Sequence, residues 1–334
     1  MGRPRRKTSP DPPLRVVSLG GGTGLSTLLR GLRSSAGGRE LDLAAVVTVS
    51  DDGGSSGRLR RDFDILAPGD IRNCMVALAE DEALLSRLFQ YRFSSGEGLK
   101  GHSFGNLFLA ALAEVTGDFH SAIKLSSEVL AIRGRIFPST LVNVKLEADF
   151  ESGRSMVGET RITGSRDRIR RIRLRPSRCE PVADALDAIR EADLISFGPG
   201  SLYTSVIPNL LVDGIADAVN SSKAKKVYIC NLMGEPGETD EYTASDHVRA
   251  VLDHVDKPVL DLVIVNNRRA PARIRRRYED NQAFQVKVDE DQLQELGVEV
   301  MGTDLLAKGT LLRHNSERLA EMLIELASAN RKPA

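Results

Sequence analysis

The chain has 334 residues, of which 41% are hydrophobic and 28% are charged, so it can bury a sizeable core and is not intrinsically disordered over most of its length. Lysine plus arginine equals aspartate plus glutamate at 46 each, which excludes a protein-wide field that attracts nucleic acid or an anionic membrane. The three cysteines are scattered, lack metal-ligand spacing and indicate reduced thiols.

The N-terminal residues 1–13 are basic and proline-rich and lack the apolar core of a signal peptide, so we predict a disordered basic tail there. No apolar stretch is long enough to span a bilayer, and no membrane insertion is expected. Together with the reduced thiols, these features predict a cytoplasmic protein that binds no nucleic acid.

A buried strand is predicted from Leu14 to Leu19, followed by a glycine-rich loop and an amphipathic helix. Backbone amides in such a loop approach an anion closely, and the helix N-terminus adds partial positive charge. A phosphate-bearing ligand is therefore the first hypothesis, with Gly21, Gly22, Thr23 and Gly24 as its candidate ligands. The spacing is not the dinucleotide fingerprint, and no Walker lysine is present. The alternative is a tight turn without a ligand.

A second buried strand is predicted from Ala44 to Val49, directly before Asp51, Asp52 and two glycines. Ligands of an open parallel sheet lie outside the carboxyl ends of its strands, so we expect this loop and the first one to line the same crevice. The two carboxylates suit sugar or ribose hydroxyls, or Mg²⁺ held against a diphosphate. The alternative is a turn in which one aspartate caps the following segment.

Helical patterns follow these two loops. An apolar face from Ile71 to Leu78 predicts a helix whose start Asp70 caps, and further helices are predicted from Phe104 to Val115 and from Phe119 to Ile132. Strands alternating with helices predict a parallel sheet covered by helices.

The pattern changes between about residues 141 and 176. Apolar and polar residues alternate from Val142 to Phe150, which predicts an antiparallel ribbon inserted into the α/β body. The stretch from Arg161 to Arg178 is dense in arginine, but aliphatic residues run through it and aromatic residues are absent. A solvated strand face is therefore favoured over a nucleic-acid platform.

The α/β pattern then returns. Strands are predicted from Leu194 to Phe197, Val227 to Cys230 and Leu260 to Val265, with a helix from Asp246 to His254 before the last strand. An exposed basic loop is predicted from Asn267 to Asn281.

A third loop rich in glycine and hydroxyl groups follows the strand that ends at Phe197. Gly200, Ser201 and Ser205 are placed to donate to phosphate oxygens, and the alternative is a turn with ordinary helix caps. Asn231 is a further candidate because it stands at the end of the next strand.

Five motifs together closely resemble the YvcK, or gluconeogenesis factor, family in the superfamily of 2-phospho-L-lactate transferase, the CofD-like fold. They are Gly20-Gly21-Gly22-Thr23-Gly24, Asp51-Asp52-Gly53-Gly54-Ser55-Ser56-Gly57-Arg58, Gly69-Asp70-Ile71-Arg72-Asn73, Gly101-His102-Ser103-Phe104-Gly105-Asn106 and Gly198-Pro199-Gly200-Ser201-Leu202-Tyr203-Thr204-Ser205. The resemblance implies one CofD-like α/β domain over residues 14–330, with a Rossmann-like open, mostly parallel sheet, helices on both faces and the inserted antiparallel β ribbon.

The resemblance also implies a function. The family binds UDP-sugars such as UDP-N-acetylglucosamine, and a regulator of cell shape, wall synthesis and growth on gluconeogenic carbon sources is expected, with no cofactor required. Cytoplasmic protein partners and a homo-oligomer are further expectations. The alternative is a Mg-dependent phospholactyl or phosphoryl-type transferase, in which Asp51 and Asp52 would hold the metal. A nicotinamide dehydrogenase is a weaker option because the first loop departs from the fingerprint.

The resemblance and the loop chemistry together predict a diphosphate site in the first and third loops. The other expected ligand-binding residues are Asp51, Asp52, Ser55, Asp70, Arg72, Asn73, His102, Asn106, Asn231 and Arg313. For Arg72 an ion pair with Asp70 is the alternative to a phosphate contact, and for His102 a structural hydrogen bond. This chain also has Glu235 before a proline, where the family commonly has a neutral glutamine.

Overall fold

The structure is a computed structural model that describes residues 12–35, 39–80 and 84–331, so residues 1–11 of the predicted disordered tail lie outside the described residues. Across these ranges, seven strands form a fully parallel sheet and three form a separate antiparallel sheet. The strands are β1 (Leu14–Gly20), β2 (Leu41–Val47), β3 (Arg135–Pro138), β4 (Lys145–Phe150), β5 (Ser155–Val157), β6 (Ile169–Arg175), β7 (Leu194–Phe197), β8 (Lys225–Ile229), β9 (Leu262–Asn266) and β10 (Glu299–Thr303).

Helices cover both faces of the parallel sheet. Those in the described residues are α1 (Gly22–Ser34), α2 (Gly54–Phe63), α3 (Pro68–Leu78), α4 (Leu85–Gln90), α5 (Phe104–Thr116), α6 (Phe119–Val129), α7 (Glu159–Thr163), α8 (Ala183–Glu191), α9 (Ile207–Leu210), α10 (Ile215–Ser221), α11 (Ala244–Val255), α12 (Ala272–Glu279), α13 (Glu290–Glu295) and α14 (Ser316–Asn330). A π-helical turn, Leu202–Val206, leads into α9. Within the described ranges, no helix has the length and apolar content needed to cross a membrane.

The parallel sheet has the strand order β10-β9-β8-β7-β1-β2-β3. The chain builds outwards from β1 through β2 to β3, then crosses to the other side of β1 and adds β7, β8, β9 and β10. The strand order therefore reverses between β1 and β7, as in a doubly wound Rossmann-like sheet. The predicted fold class is confirmed.

Burial on both faces explains why these strands read as continuous apolar runs. In β1 only Arg15 is exposed, and every residue of β9 is buried. Helices on both faces remove the need for the polar–apolar alternation of a one-sided sheet. The strands predicted near β1, β2, β7, β8 and β9 are all present with shifted ends.

The predicted antiparallel insertion is a three-stranded sheet of order β5-β4-β6. Its strand β4 alternates buried and more exposed residues, as expected for a sheet with one solvated face. The arginines of β6 pair with acids of β4: Arg173 lies 2.6 Å from Asp149, and Arg175 lies 2.9 Å from Glu147. The arginine-dense segment is thus a solvated strand face, as predicted.

Two local predictions were wrong. The helix α3 begins at Pro68, so Asp70 lies inside its first turn and does not cap it; a proline suits the first helical position because its missing N–H is not needed there. The segment predicted as an exposed basic loop contains the helix α12, Ala272–Glu279, in which no residue is fully buried. The helix was missed because the segment has many arginines and few apolar residues, so it lacks the apolar stripe by which a helix is recognised.

Two strands were not predicted. β3 has four residues, and β10 is a partly exposed edge strand with the sequence Glu-Val-Met-Gly-Thr. Short or edge strands have little apolar periodicity, so pairing with β2 and β9 decides their structure.

Helix α14 packs on α1 and on the strands β1, β7 and β8. The Asn315 side chain caps this helix, because it accepts from the Arg318 N–H at 3.1 Å. At Gly31 the two helices approach so closely that a Cβ atom would lie well inside van der Waals distance of the Ser316 carbonyl. This contact sets where the segment before α14 runs.

We predict that Gly31→Ala destabilises the protein by about 1–3 kcal/mol, because overpacking outweighs the roughly 1 kcal/mol that alanine gains in helix propensity. Urea unfolding followed by circular dichroism measures the change. Ser34→Ala, an exposed substitution on the same helix, is the control and should stay within about 0.5 kcal/mol of the parent. A more stable Gly31→Ala variant would contradict the close packing.

Candidate functional site

The site lies where the strand order reverses, outside the carboxyl ends of β1 and β7. These strands are adjacent and parallel, and inside the sheet the Ser196 hydroxyl donates to the Ser18 hydroxyl at 2.8 Å. The crevice outside the ends of these two strands is the usual ligand position in such sheets.

The loop after β1 presents the N-terminus of a thirteen-residue helix, α1. Gly21 occupies the cap position with extended backbone and provides no side-chain cap, and Gly22 has φ +63°, a conformation that favours glycine. A Cβ on Gly24 would collide with the Pro199 carbonyl of the loop after β7. These glycines let two backbones meet and leave helix N–H groups available to an anion.

The loop after β7 is tied to the first loop by a buried asparagine. The Asn209 amide donates to the carbonyl oxygens of Gly20 at 3.1 Å and Ser205 at 2.8 Å. The π-helical turn Leu202–Val206 precedes Asn209 and contains Ser205, whose side chain lines the crevice.

Together the loops form one wall of a cleft of about 550 Å³. Nine predicted ligand-binding residues line it: Gly21, Gly22, Thr23, Gly24, Gly200, Ser201, Ser205, Asn231 and Arg313. Residues that the structure adds to this lining are Thr27, Pro199, Leu232, Met233, Gly234, Glu235, Pro236, Tyr278, Ala283, Leu312 and His314.

The rest of the cleft wall mixes apolar with polar residues and comes from distant segments. Leu232 and Met233 follow β8, while Tyr278 belongs to α12 and its hydroxyl accepts from the Leu312 N–H at 3.0 Å. That bond fastens α12 to the segment carrying Arg313. Sequence reasoning missed this wall because it treated the Tyr278 region as a solvent loop.

Two side chains with shifted pKa values, His314 and Glu235, line the cleft. His314 lies 3.1 Å from the Cys230 carbonyl through Nε2, and burial lowers its pKa to about 4, so the ring is neutral and donates this bond. Burial raises the pKa of Glu235, although a hydrogen bond from Ser201 opposes the shift. The Asn231 amide also donates to Glu235 Oε1 at 3.1 Å.

Carboxyl groups crowd together beyond the glycine loop. Asp70 accepts from the Gly22 N–H, yet burial, followed by repulsion from Asp51, raises its pKa to about 6. Glu159, delivered by α7 of the inserted sheet, has its pKa raised to about 9 by burial and by the neighbouring carboxylates. Sequence reasoning missed Glu159 because the insertion is far away along the chain.

Asp51 and Asp52 have structural partners as well. Asp51 Oδ1 accepts from the Gly53 N–H at 2.8 Å, and Asp52 Oδ1 accepts from the Thr160 N–H at 2.9 Å and hydroxyl at 2.7 Å. The second bond pair fastens the inserted sheet to the body. Among the described residues, no group of three or more His, Cys, Asp or Glu is placed to hold a metal ion.

Like Asp51, Asp52 and Asp70, the remaining predicted residues are outside the cleft lining: Ser55, Arg72, Asn73, His102 and Asn106. Ser55 Oγ lies 3.0 Å from His102 Nδ1, and Arg72 donates to Ser103 Oγ at 2.7 Å and to Asn73 Oδ1 at 2.6 Å. The network joins α2, α3 and α5 behind the carboxyl groups.

This network is not saturated. Arg72 makes none of its hydrogen bonds to Asp70, and no ion pair joins it to Asp70 or to another acid of the described residues; burial lowers its pKa. Its Nε and the Oδ1 of Asn106 are buried without a partner among the described residues. Arg72 therefore keeps an unused donor, and the nearby charges of Asp70 and Asp51 favour its charged form.

Comparisons with known proteins show the family to which the chain belongs. The model of a family described as 2-phospho-L-lactate transferase CofD matches residues 16–306. Among curated relatives, the gluconeogenesis factor of Bacillus subtilis is 46% identical over 313 residues, covering 93% of this chain and 98% of its own. The gluconeogenesis factor of Halalkalibacterium halodurans is 47% identical over 311 residues, covering 93% of this chain and 95% of its own.

A crystal structure of a Bacillus halodurans protein superposes with a TM-score of 0.91 at 46% identity, covering 94% of this chain and 100% of that chain. Sequence identity at this level over nearly the whole length shows common family membership as well as a common fold. The chain therefore belongs to the gluconeogenesis factor (YvcK) family, within the CofD-like superfamily.

Proposed function

We propose that this protein is a cytoplasmic regulator that binds a UDP-sugar, such as UDP-N-acetylglucosamine, in the cleft between β1 and β7. The observation that carries the proposal is the mixed lining of the cleft: the glycines and hydroxyls of the two loops share it with apolar residues, with Tyr278 and with Arg313. A nucleotide sugar has matching parts, because its diphosphate is ionised, its base is flat and its sugars carry hydroxyls.

In this arrangement the diphosphate lies against the glycines of the first loop and the hydroxyls of Ser201 and Ser205. Arg313, exposed and without an ion pair to a described residue, adds the positive charge that the loops lack. Asp51 and Asp52 remain candidates for sugar hydroxyls, because each keeps one carboxylate oxygen without a hydrogen bond from a described residue.

The proposed biological role follows the names of the relatives, which are gluconeogenesis factors. The bound nucleotide sugar would report metabolic state and so support growth on gluconeogenic carbon sources, cell shape and wall synthesis. Helix α12 is the proposed surface for a protein partner, because Tyr278 faces the cleft while Arg273 and Arg276 are exposed. A ligand that shifts α12 would change that surface. A homo-oligomer is a further proposal.

The second candidate function is a Mg-dependent phosphoryl-type transferase, which the family model's description and the crowded carboxyl groups favour. Mg²⁺ is commonly held by one or two carboxylates together with substrate phosphates. Asp51 and Asp52 fit this donor set only with a bound diphosphate, and the metal would then neutralise charge on the phosphates. Positioning of the reacting groups by the two loops would supply the rest of the catalysis.

Calorimetry with UDP-N-acetylglucosamine tests the binding proposal. Arg313→Ala should weaken binding roughly ten- to a hundredfold, because a charge-assisted bond to phosphate is lost. The matched control is Arg318→Ala, which removes an exposed arginine that pairs with Glu321 at 3.5 Å on α14. Equal affinities for Arg313→Ala and the parent protein would contradict the assigned ligand position.

The recovered ligand decides between the two functions. We expect UDP-N-acetylglucosamine to be returned unaltered after incubation with the protein, and its affinity to be the same with Mg²⁺ as with a chelator. Mass spectrometry and calorimetry measure these two properties. Conversion that requires Mg²⁺ and is lost in Asp51→Asn, but is kept in the surface control Asp42→Asn, would place the transferase first.

A further inference from the structure

A carboxyl group stands in the anion-binding part of the cleft. Glu235 lies in the loop after β8, lines the cleft with Gly200 and Ser201, and accepts from the Asn231 amide at 3.1 Å. Its backbone is held in place because its N–H donates to Thr239 Oγ1 at 2.9 Å. The backbone that carries the carboxyl group is therefore fixed beside the cleft.

Glu235 and an incoming phosphate compete for the same donor. The Asn231 amide, which lines the cleft and is a predicted ligand-binding group, donates to Glu235 Oε1 at 3.1 Å. If it turns to a ligand phosphate, an ionised Glu235 loses that bond and faces the negative charge of the ligand. If Glu235 is protonated, its own O–H becomes a donor and the conflict disappears.

We propose that Glu235 is a specificity-determining residue of the cleft, which takes up a proton when a diphosphate ligand binds and then donates to that ligand. This inference rests on the proposed binding function and goes further, because it makes affinity depend on pH through one named group. The chemistry favours diphosphate diesters over more highly charged phosphate monoesters, since one protonated carboxyl group and Arg313 supply little positive charge to balance each additional negative charge.

The groups around Glu235 favour the protonated form. Glu238, in the same loop, is buried with Oε2 unpartnered among the described residues, and burial together with Glu235 raises its pKa to about 8. His314 is neutral, with a pKa of about 4, and so provides no compensating positive charge. The polar or titratable groups that neighbour Glu235 or share its cleft are Ser201, Tyr228, Asn231, Glu238, Arg313 and His314.

The direction of the pH effect follows from linkage. An anionic ligand beside Glu235 raises its pKa further, so the complex binds more protons than the free protein does. Affinity must then fall as pH rises through the range in which free Glu235 ionises, by up to about tenfold per pH unit. Below that range Glu235 is already protonated and affinity is flat.

The test is calorimetry of the full chain with UDP-N-acetylglucosamine from about pH 6 to about pH 8.5, in two buffers with different ionisation enthalpies. At pH values where free Glu235 is ionised, the parent protein should take up close to one proton per ligand. Glu235→Gln, which keeps the shape and supplies an N–H donor, should lose this uptake and bind roughly tenfold more tightly at the highest pH. Thermal melting verifies that the variant is folded.

Glu241→Gln is the matched control, because it neutralises an exposed glutamate of the same loop and should leave affinity and uptake unchanged. Unchanged proton uptake in Glu235→Gln would overturn the inference and transfer the effect to another group such as Asp70. Inorganic pyrophosphate is the second probe. If it binds with Glu235-dependent uptake while the UDP-sugar does not bind, the proposed function fails and the inference stands. If neither binds, both fail.

Discussion

The structure depends on the close approach of two backbone segments, the loops that follow β1 and β7. Gly24 lies against the Pro199 carbonyl, where no side chain fits, and Asn209 joins the two loops through their carbonyl oxygens. The contact occurs where the strand order reverses, so it brings together chain segments far apart in sequence. Helix N–H groups, hydroxyls and the rest of the cleft wall are all placed relative to it.

Charge is distributed unevenly around this contact. On one side, Arg313 is exposed at the cleft. On the other, Asp51, Asp70 and Glu159 lie close enough for their negative charges to repel one another. Raised pKa values of carboxyl groups express the same fact, because burial and like charges both disfavour ionisation. Asp70 links the two regions, since it accepts from the Gly22 N–H of the anion site. Shifted pKa values of this kind are common at functional sites.

The inserted antiparallel sheet and the segment before α14 contribute to the site from outside the parallel sheet. The insertion delivers Glu159 and is held by the bonds between Asp52 and Thr160. The segment before α14 delivers Arg313 and His314, and its path is set by the packing of Gly31 on Ser316 and by the bond from Leu312 to Tyr278. The positions of Arg313 and His314 in the cleft therefore depend on packing at some distance from it.

The sequence by itself determined the fold class, most strands of the parallel sheet and the glycine and hydroxyl residues that line the cleft. Buried parallel strands leave continuous apolar runs, and strand-end loops need glycine, so both are visible as local patterns. The tertiary structure alone decided the rest. The surroundings of Tyr278, Glu159 and Glu235 come from segments distant along the chain. The strand β10 forms only because β9 supplies its hydrogen bonds. Burial, which shifts the pKa of Glu159 and His314, is a property of packing and has no local sequence signal.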